Sequence, residues 1–192
     1  GCSVLGGYKT KIPDGVDNLI NVDLTRKEDC LNATRGMDVV FHCAANTSGA
    51  AAMSSNPLQH VTPNIVMNAN LLEAAYENGV KKFVWLASTT GFPELNRPAK
   101  EEDMWTGQPW NKYFYVGWTK RMTEKLCEMY SKLGMFTIVL RPTNIYGPGD
   151  KFDPAKSHVL PALIRKVVER QNPIEVWGDG NDLRDIIYVD DM

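Results

Sequence analysis

Long hydrophobic runs are missing from this chain of 192 residues. None approaches the roughly 18 apolar residues that cross a bilayer, and no signal peptide is visible, so no membrane partner is expected. Excess basic charge is missing too. Lys and Arg number 21 against 23 Asp and Glu, a formal net charge of −2. Without a basic patch, nucleic acid is not an expected partner. Metal-ligand spacing is also absent: Cys2, Cys30, Cys43 and Cys127 are widely scattered, and His42, His60 and His158 form no zinc pattern. Reduced thiols in a cytoplasmic protein are the simplest expectation, with no bound metal. No internal repeat or low-complexity tract appears.

What is present reads as one globular domain, 43% hydrophobic and 23% charged. Residues 18–22 (NLINV) predict a short strand ending at Asp23. Thr25 then predicts a helix cap, with Glu28 as its capping-box partner and the helix running to about Thr34. Residues 38–43 predict a buried strand that ends in the small residues Ala44 and Ala45. A helical spacing of apolar residues fills about 57–78 and is stopped by Gly79. Residues 83–87 predict another strand, closing on Ser88-Thr89-Thr90. A polar loop from Pro93 to Trp110 leads to a second long helix, about 113–133, stopped by Gly134. The strand 136–140 follows, then a helix over 157–170, a short strand at 175–177 and a last strand at 186–189. Strands alternating with helices of this length predict an α/β fold, a Rossmann-like doubly wound parallel sheet.

The most informative stretch is 141–164, RPTNIYGPGDKFDPAKSHVLPALI. It leaves a strand, breaks at Pro142, turns on Gly147-Pro148-Gly149 and enters a helix with His158 in its first turn. Arg141, Thr143, Asn144, Ser157 and His158 thus follow the carboxyl end of a strand, where open α/β sheets place ligands. The run PTN-x-YGP-x-D-x-F-x-P-x-x-SHV-x-PALIR resembles the substrate loop of the extended short-chain dehydrogenase/reductases (the NAD-dependent epimerase/dehydratase family), most nearly their GDP-fucose synthase branch. A looser similarity runs from about Asn21 to Met192.

The resemblance implies a nucleotide-sugar epimerase/reductase that works on a 4-keto sugar nucleotide with NADP or NAD. It implies a partial cofactor-binding domain over about 1–150 and the start of a smaller substrate-binding region over 151–192. A Rossmann domain ordinarily begins with a strand running into a glycine-rich loop, which cradles the pyrophosphate at a helix N-terminus. Gly6-Gly7 precedes Tyr8-Lys9 instead, so that segment is expected to be missing, as is the C-terminal end of the substrate region. Both termini read as cuts through a larger protein. Lys9 and Lys11 are candidates for a cofactor 2′-phosphate, against a plain solvated surface.

Site residues follow by the same resemblance. Ser88 takes the catalytic serine's place, Thr90 that of an acid cysteine and His158 that of a second acid/base. Lys120 takes the place of a lysine that binds cofactor ribose and charges the site. Asp23 and Leu24 would flank adenine, and Ala44, Ala45 and Asn64 would approach the cofactor. Asn144, Lys166 and Arg184 would hold the sugar nucleotide, the last two through its diphosphate. Two departures weigh against this orthodox chemistry. The family sets a tyrosine four residues before the lysine, one turn away on the same helix face. Val116 stands there; Tyr115, turned about 100° away, is a candidate catalytic acid that a helix irregularity would bring into place, and Tyr113 lies roughly 10 Å along the axis from Lys120. Threonine at position 90 does not titrate near neutrality as a cysteine does. Thr89-Thr90 also lacks the acidic pair of a dehydratase. An alternative therefore stands beside the enzyme: a nucleotide-sugar-binding homologue with impaired catalysis, or an inactive fragment. The two long helices match those forming a homodimer seam in this family.

Overall fold

The computed structural model describes every residue except 1, 11, 13, 14, 16, 48–55, 154–156, 177 and 182. In chain order the elements are β1 (Gly6–Tyr8), β2 (Leu19–Asn21), α1 (Lys27–Thr34), β3 (Val39–His42), α2 (Leu58–Glu77), β4 (Lys82–Leu86), α3 (Phe114–Lys132), β5 (Phe136–Leu140), β6 (Asn144–Tyr146), α4 (Val159–Val168) and β7 (Ile186–Tyr188). Short 3₁₀ turns cover Thr89–Gly91, Glu101–Trp105 and Asn111–Tyr113.

All strand pairs among the described residues are parallel. β3, β4 and β5 form one sheet in that order, β1 pairs with β2, and β6 pairs with β7. Phe83, Val84 and Trp85 on β4 are all buried, as expected of a central parallel strand covered on both faces. Around them Leu71, Leu72, Ala74 and Ala75 of α2, Cys127 of α3, Cys30 of α1 and Met135 close the core. α1 packs on α2, and α2 on α3. Because β3, β4 and β5 are parallel, their carboxyl ends share one edge: His42 to Ala45, Ala87 to Thr90, and Arg141.

Local structure departs from the sequence expectations in identifiable places. Thr25 does not cap α1; the N-cap is Arg26, without a side-chain bond. The Asp23 carboxylate takes both the Thr25 amide (3.0 Å) and its hydroxyl (2.7 Å), a turn that competes with the cap. Asp29, in the first turn of α1, reaches back to accept the Asp23 amide at 3.0 Å. β1 and β6 are strands that the pattern of apolar residues did not announce, each only three residues long. Ile174 to Val176 forms no strand, and Trp177, which would have ended it, lies outside the described residues, as does Lys11.

Leu72 is fully buried where α2 meets the sheet. Leu72→Ala is expected to lower unfolding free energy by about 2–5 kcal/mol, the range for a buried leucine that leaves a cavity. Urea denaturation, comparing midpoints at equal slope, measures it.

Candidate functional site

The loop after β4 begins at Ser88, extended in backbone, and turns through Thr89–Gly91. The Ser88 hydroxyl oxygen accepts from the Thr90 amide and from the Thr90 hydroxyl, both at 3.2 Å. A serine oxygen has two lone pairs and one proton. With both lone pairs engaged, the Ser88 proton is left to donate, so Ser88 is set up as a donor. Thr90 serves here as a partner that orients Ser88.

α3 lies close against this loop. A Cβ built on Gly117 would stand 2.6 Å from the Thr90 carbonyl oxygen and 2.5 Å from Pro109, so only glycine admits the approach. Arg121 reinforces it: its buried guanidinium donates to the Gly91 carbonyl at 2.8 Å and to that of Gly107, while stacking against Trp105 and Trp118. One turn beyond Gly117, Lys120 is half-buried with its ammonium 5.3 Å from the Trp85 ring centre. Burial holds its pKa below the ordinary lysine value. Val116, in the position facing it one turn earlier, is buried at 8% exposure, whereas Tyr115 is 62% exposed. The tyrosine therefore projects toward solvent.

On the β3 side, the small residues Cys43, Ala44 and Ala45 are all exposed. Asn64 of α2 pairs with this loop rather than pointing outward. Its amide oxygen accepts the Asn46 amide at 2.9 Å and its amide nitrogen donates to the Asn46 carbonyl at 3.0 Å. Asn64 thus acts on the loop's shape. A second buried chain runs beneath. His42 Nε2 lies 2.7 Å from the Asn68 amide oxygen, and Asn68 donates to the Thr123 hydroxyl at 3.0 Å. It ties the end of β3 to α2 and α3, with His42 Nδ1 buried and unpartnered among the described residues. Sequence reasoning missed His42, Asn68 and Arg121. The pairings join residues 26 and 55 positions apart, which no local pattern reveals.

The remaining candidates are each engaged by neighbours of their own or exposed. Asp23 is ion-paired to Lys9 at 2.7 Å, and hydrogen bonds from Lys9 and Thr25 hold its pKa down at about 2. Leu24 packs against the core. Arg141 does not join Asn144 and His158 as the sequence suggested. It turns to α3, where its fork grips Glu124 at 2.9 and 2.6 Å. Asn144 donates to the Asp185 carbonyl at 2.9 Å, fastening β6 to the chain entering β7. His158 is exposed and forms the N-cap of α4. Lys166 donates to the Glu175 carbonyl, and Arg184 is exposed in the segment before β7. A shallow groove between α3 and β5, lined by Trp105, Glu128, Thr137 and Arg141, includes none of the candidate catalytic residues. No described helix is long and apolar enough to cross a membrane.

A parallel α/β sheet with small residues, a donor serine and a desolvated lysine at its carboxyl edge defines a Rossmann-like fold of the nucleotide-binding class. The family profile for the NAD dependent epimerase/dehydratase family matches residues 5–192, and the chain belongs to that family. It is 36% identical over 180 residues to a GDP-L-fucose synthase of Sinorhizobium fredii, covering 88% of this chain and 57% of the relative. It is 35% identical over 176 residues to GDP-mannose 3,5-epimerase 1 of Oryza sativa subsp. japonica, covering 88% of this chain and 46% of that one. Among solved structures, a GDP-L-fucose synthetase from Naegleria fowleri bound to NADP superposes with a TM-score of 0.76 at 27% identity, over 89% of this chain and 60% of the other. The chain thus spans about half the length of the curated relatives it matches.

Burial holds the His42 imidazole neutral, its pKa down at about 4. The sign follows from linkage. Below the ordinary value near 6.5, the unfolded chain takes a proton that the folded chain refuses until about 4. Stability is therefore lost as pH falls through that window, by about 3 kcal/mol in all. His42→Gln, which keeps an amide partner for Asn68, is expected to flatten this acid limb. Urea midpoints at pH 7 and pH 4.5 for both proteins check it.

Proposed function

We propose that this chain is the catalytic part of a nucleotide-sugar epimerase/reductase acting on a GDP-linked 4-keto sugar with a nicotinamide cofactor. The observation carrying this reading is the sheet edge itself. Ser88 presents a hydroxyl proton, and the partly desolvated Lys120 presents a cation, on the same edge as the exposed Ala44 and Ala45. Relatives named for two GDP-sugar reactions, a synthase and an epimerase, support the substrate class.

The residues fit a dinucleotide at this edge in part. Ala44 and Ala45 would let it approach the backbone that Asn64 shapes, Lys120 would meet its ribose, and Asp23 with Leu24 would border adenine. When bound, such a cofactor supplies or holds hydride at the sugar's C4. Ser88 would donate a hydrogen bond to the carbonyl oxygen. His158 would move protons next to the carbonyl, which a histidine does well near neutrality. Lys166 and Arg184 would meet the diphosphate, and Asn144 the sugar. In this reading residues 1–150 serve the cofactor and 151–192 open the substrate region. A cytoplasmic homodimer completes it, with exposed Ile65, Val66 and Tyr76 of α2 and Trp118, Met122 and Met129 of α3 as its seam.

A second reading has a specific observation behind it. Val116 fills the tyrosine position and Tyr115 faces solvent, which favours a nucleotide-sugar-binding homologue with impaired catalysis. Two measurements separate the readings. Titration with NADPH and NADH, following energy transfer from the tryptophans to nicotinamide, is expected to saturate; silence up to millimolar cofactor excludes an oxidoreductase. NADPH consumption with GDP-4-keto-6-deoxymannose is then compared between the natural protein and Val116→Tyr. Measurable natural turnover supports the enzyme. Turnover that appears only in the variant supports the impaired homologue.

A further inference from the structure

With Tyr115 exposed and Val116 apolar, the carbonyl oxygen lacks an evident proton source, and the surroundings of Lys120 supply one. Its ammonium sits against the Trp85 ring, a contact that favours the charged form without accepting its proton in a strong hydrogen bond. Among the described residues no carboxylate lies within ion-pairing distance of it. Glu124, one turn further along α3, has both oxygens committed to Arg141. From β3 the facing group is His42, a neutral imidazole held by Asn68. The turn Thr89–Gly91 that packs on α3, with Ser88 before it, carries hydroxyls and no titratable group. Among the described residues Lys120 is thus a cation with no ion-pair partner and no hydrogen-bond acceptor, on a helix against which Gly117 and Arg121 draw the Ser88 loop. Burial makes it a stronger acid than an ordinary lysine.

Building on the epimerase/reductase reading, we propose that Lys120 itself is the general acid, delivering its proton to the sugar carbonyl oxygen while Ser88 hydrogen-bonds that same oxygen. In the reduction, the carbonyl carbon gains a hydride from a reduced nicotinamide and a C–H bond forms. The C=O π pair moves onto oxygen, which takes a proton from the Lys120 ammonium. An N–H bond breaks and an O–H bond forms; the ketone is reduced to an alcohol and the nicotinamide is oxidised. The neutral amine recovers its proton from solvent.

Arginine separates this role from a purely electrostatic one, since it keeps the charge but does not release its proton. Lys120→Arg in the whole protein, assayed at saturating NADPH so that any change in cofactor binding is removed, is expected to lose roughly 10²–10⁴-fold in turnover, the usual worth of general acid catalysis. Turnover within tenfold of the natural protein would overturn the assignment. A readout without cofactor or substrate accompanies it: acylation of Lys120 by acetic anhydride against pH, followed by peptide mass spectrometry. Half-modification below the ordinary lysine value of about 10.4 is expected; at or above that value, the assignment is overturned. Failure of the natural protein to bind NADPH is a different result. It sinks the oxidoreductase reading, and this step with it, whereas an active Lys120→Arg protein sinks the step alone.

Discussion

Parallel pairing of β3, β4 and β5 is the constraint on which the rest of this structure depends. Parallel neighbours cannot be joined by a tight turn, so each connection becomes a crossover helix, here α2 and α3. Burial of β4 on both faces then requires apolar helix surfaces against it, which Leu71, Leu72 and Cys127 provide. The same geometry collects three carboxyl ends at one edge. Short residues follow the strands there: Ala44 and Ala45 after β3, Ala87 and Ser88 after β4.

Polar groups divide according to whether they finish a structural bond or remain available. Arg141 and Glu124 satisfy one another, and Asp103 is held by Arg97 and by the Lys100 amide. Arg121 is spent on the Gly91 and Gly107 carbonyls, which brings the Ser88 loop to α3. Such pairs fix positions. By contrast Ser88 retains its proton and Lys120 keeps a desolvated charge against an indole. A folded chain holds an unneutralised cation in a half-buried place at a cost, and that cost makes the group chemically distinct.

Much of the fold was legible in the residues. The long helices ended within a residue or two of the positions expected from their spacing and from Gly79 and Gly134, because amphipathic periodicity and glycine stops are local signals. Short elements were not. β1 and β6 carry only three residues each, and their pairing partners lie 13 and 42 positions away, beyond any window of sequence. The cap at Thr25 failed because the Asp23 carboxylate took the Thr25 amide and hydroxyl, while Asp29 took the Asp23 amide.

By itself the sequence determined the α/β class, the family, and the identities of the groups at stake: a serine closing one strand, a lysine on the next helix, a valine where a tyrosine was expected. Those are matters of residue type and spacing. Only the tertiary structure decided what each group is able to do. It turned Arg141 and Asn64 to fastening, filled the lone pairs of Ser88 from Thr90, and set Lys120 against Trp85 with no ion-paired acid among the described residues. Availability of a proton or a charge depends on which distant neighbours have already claimed it, and that is a property of packing rather than of order along the chain.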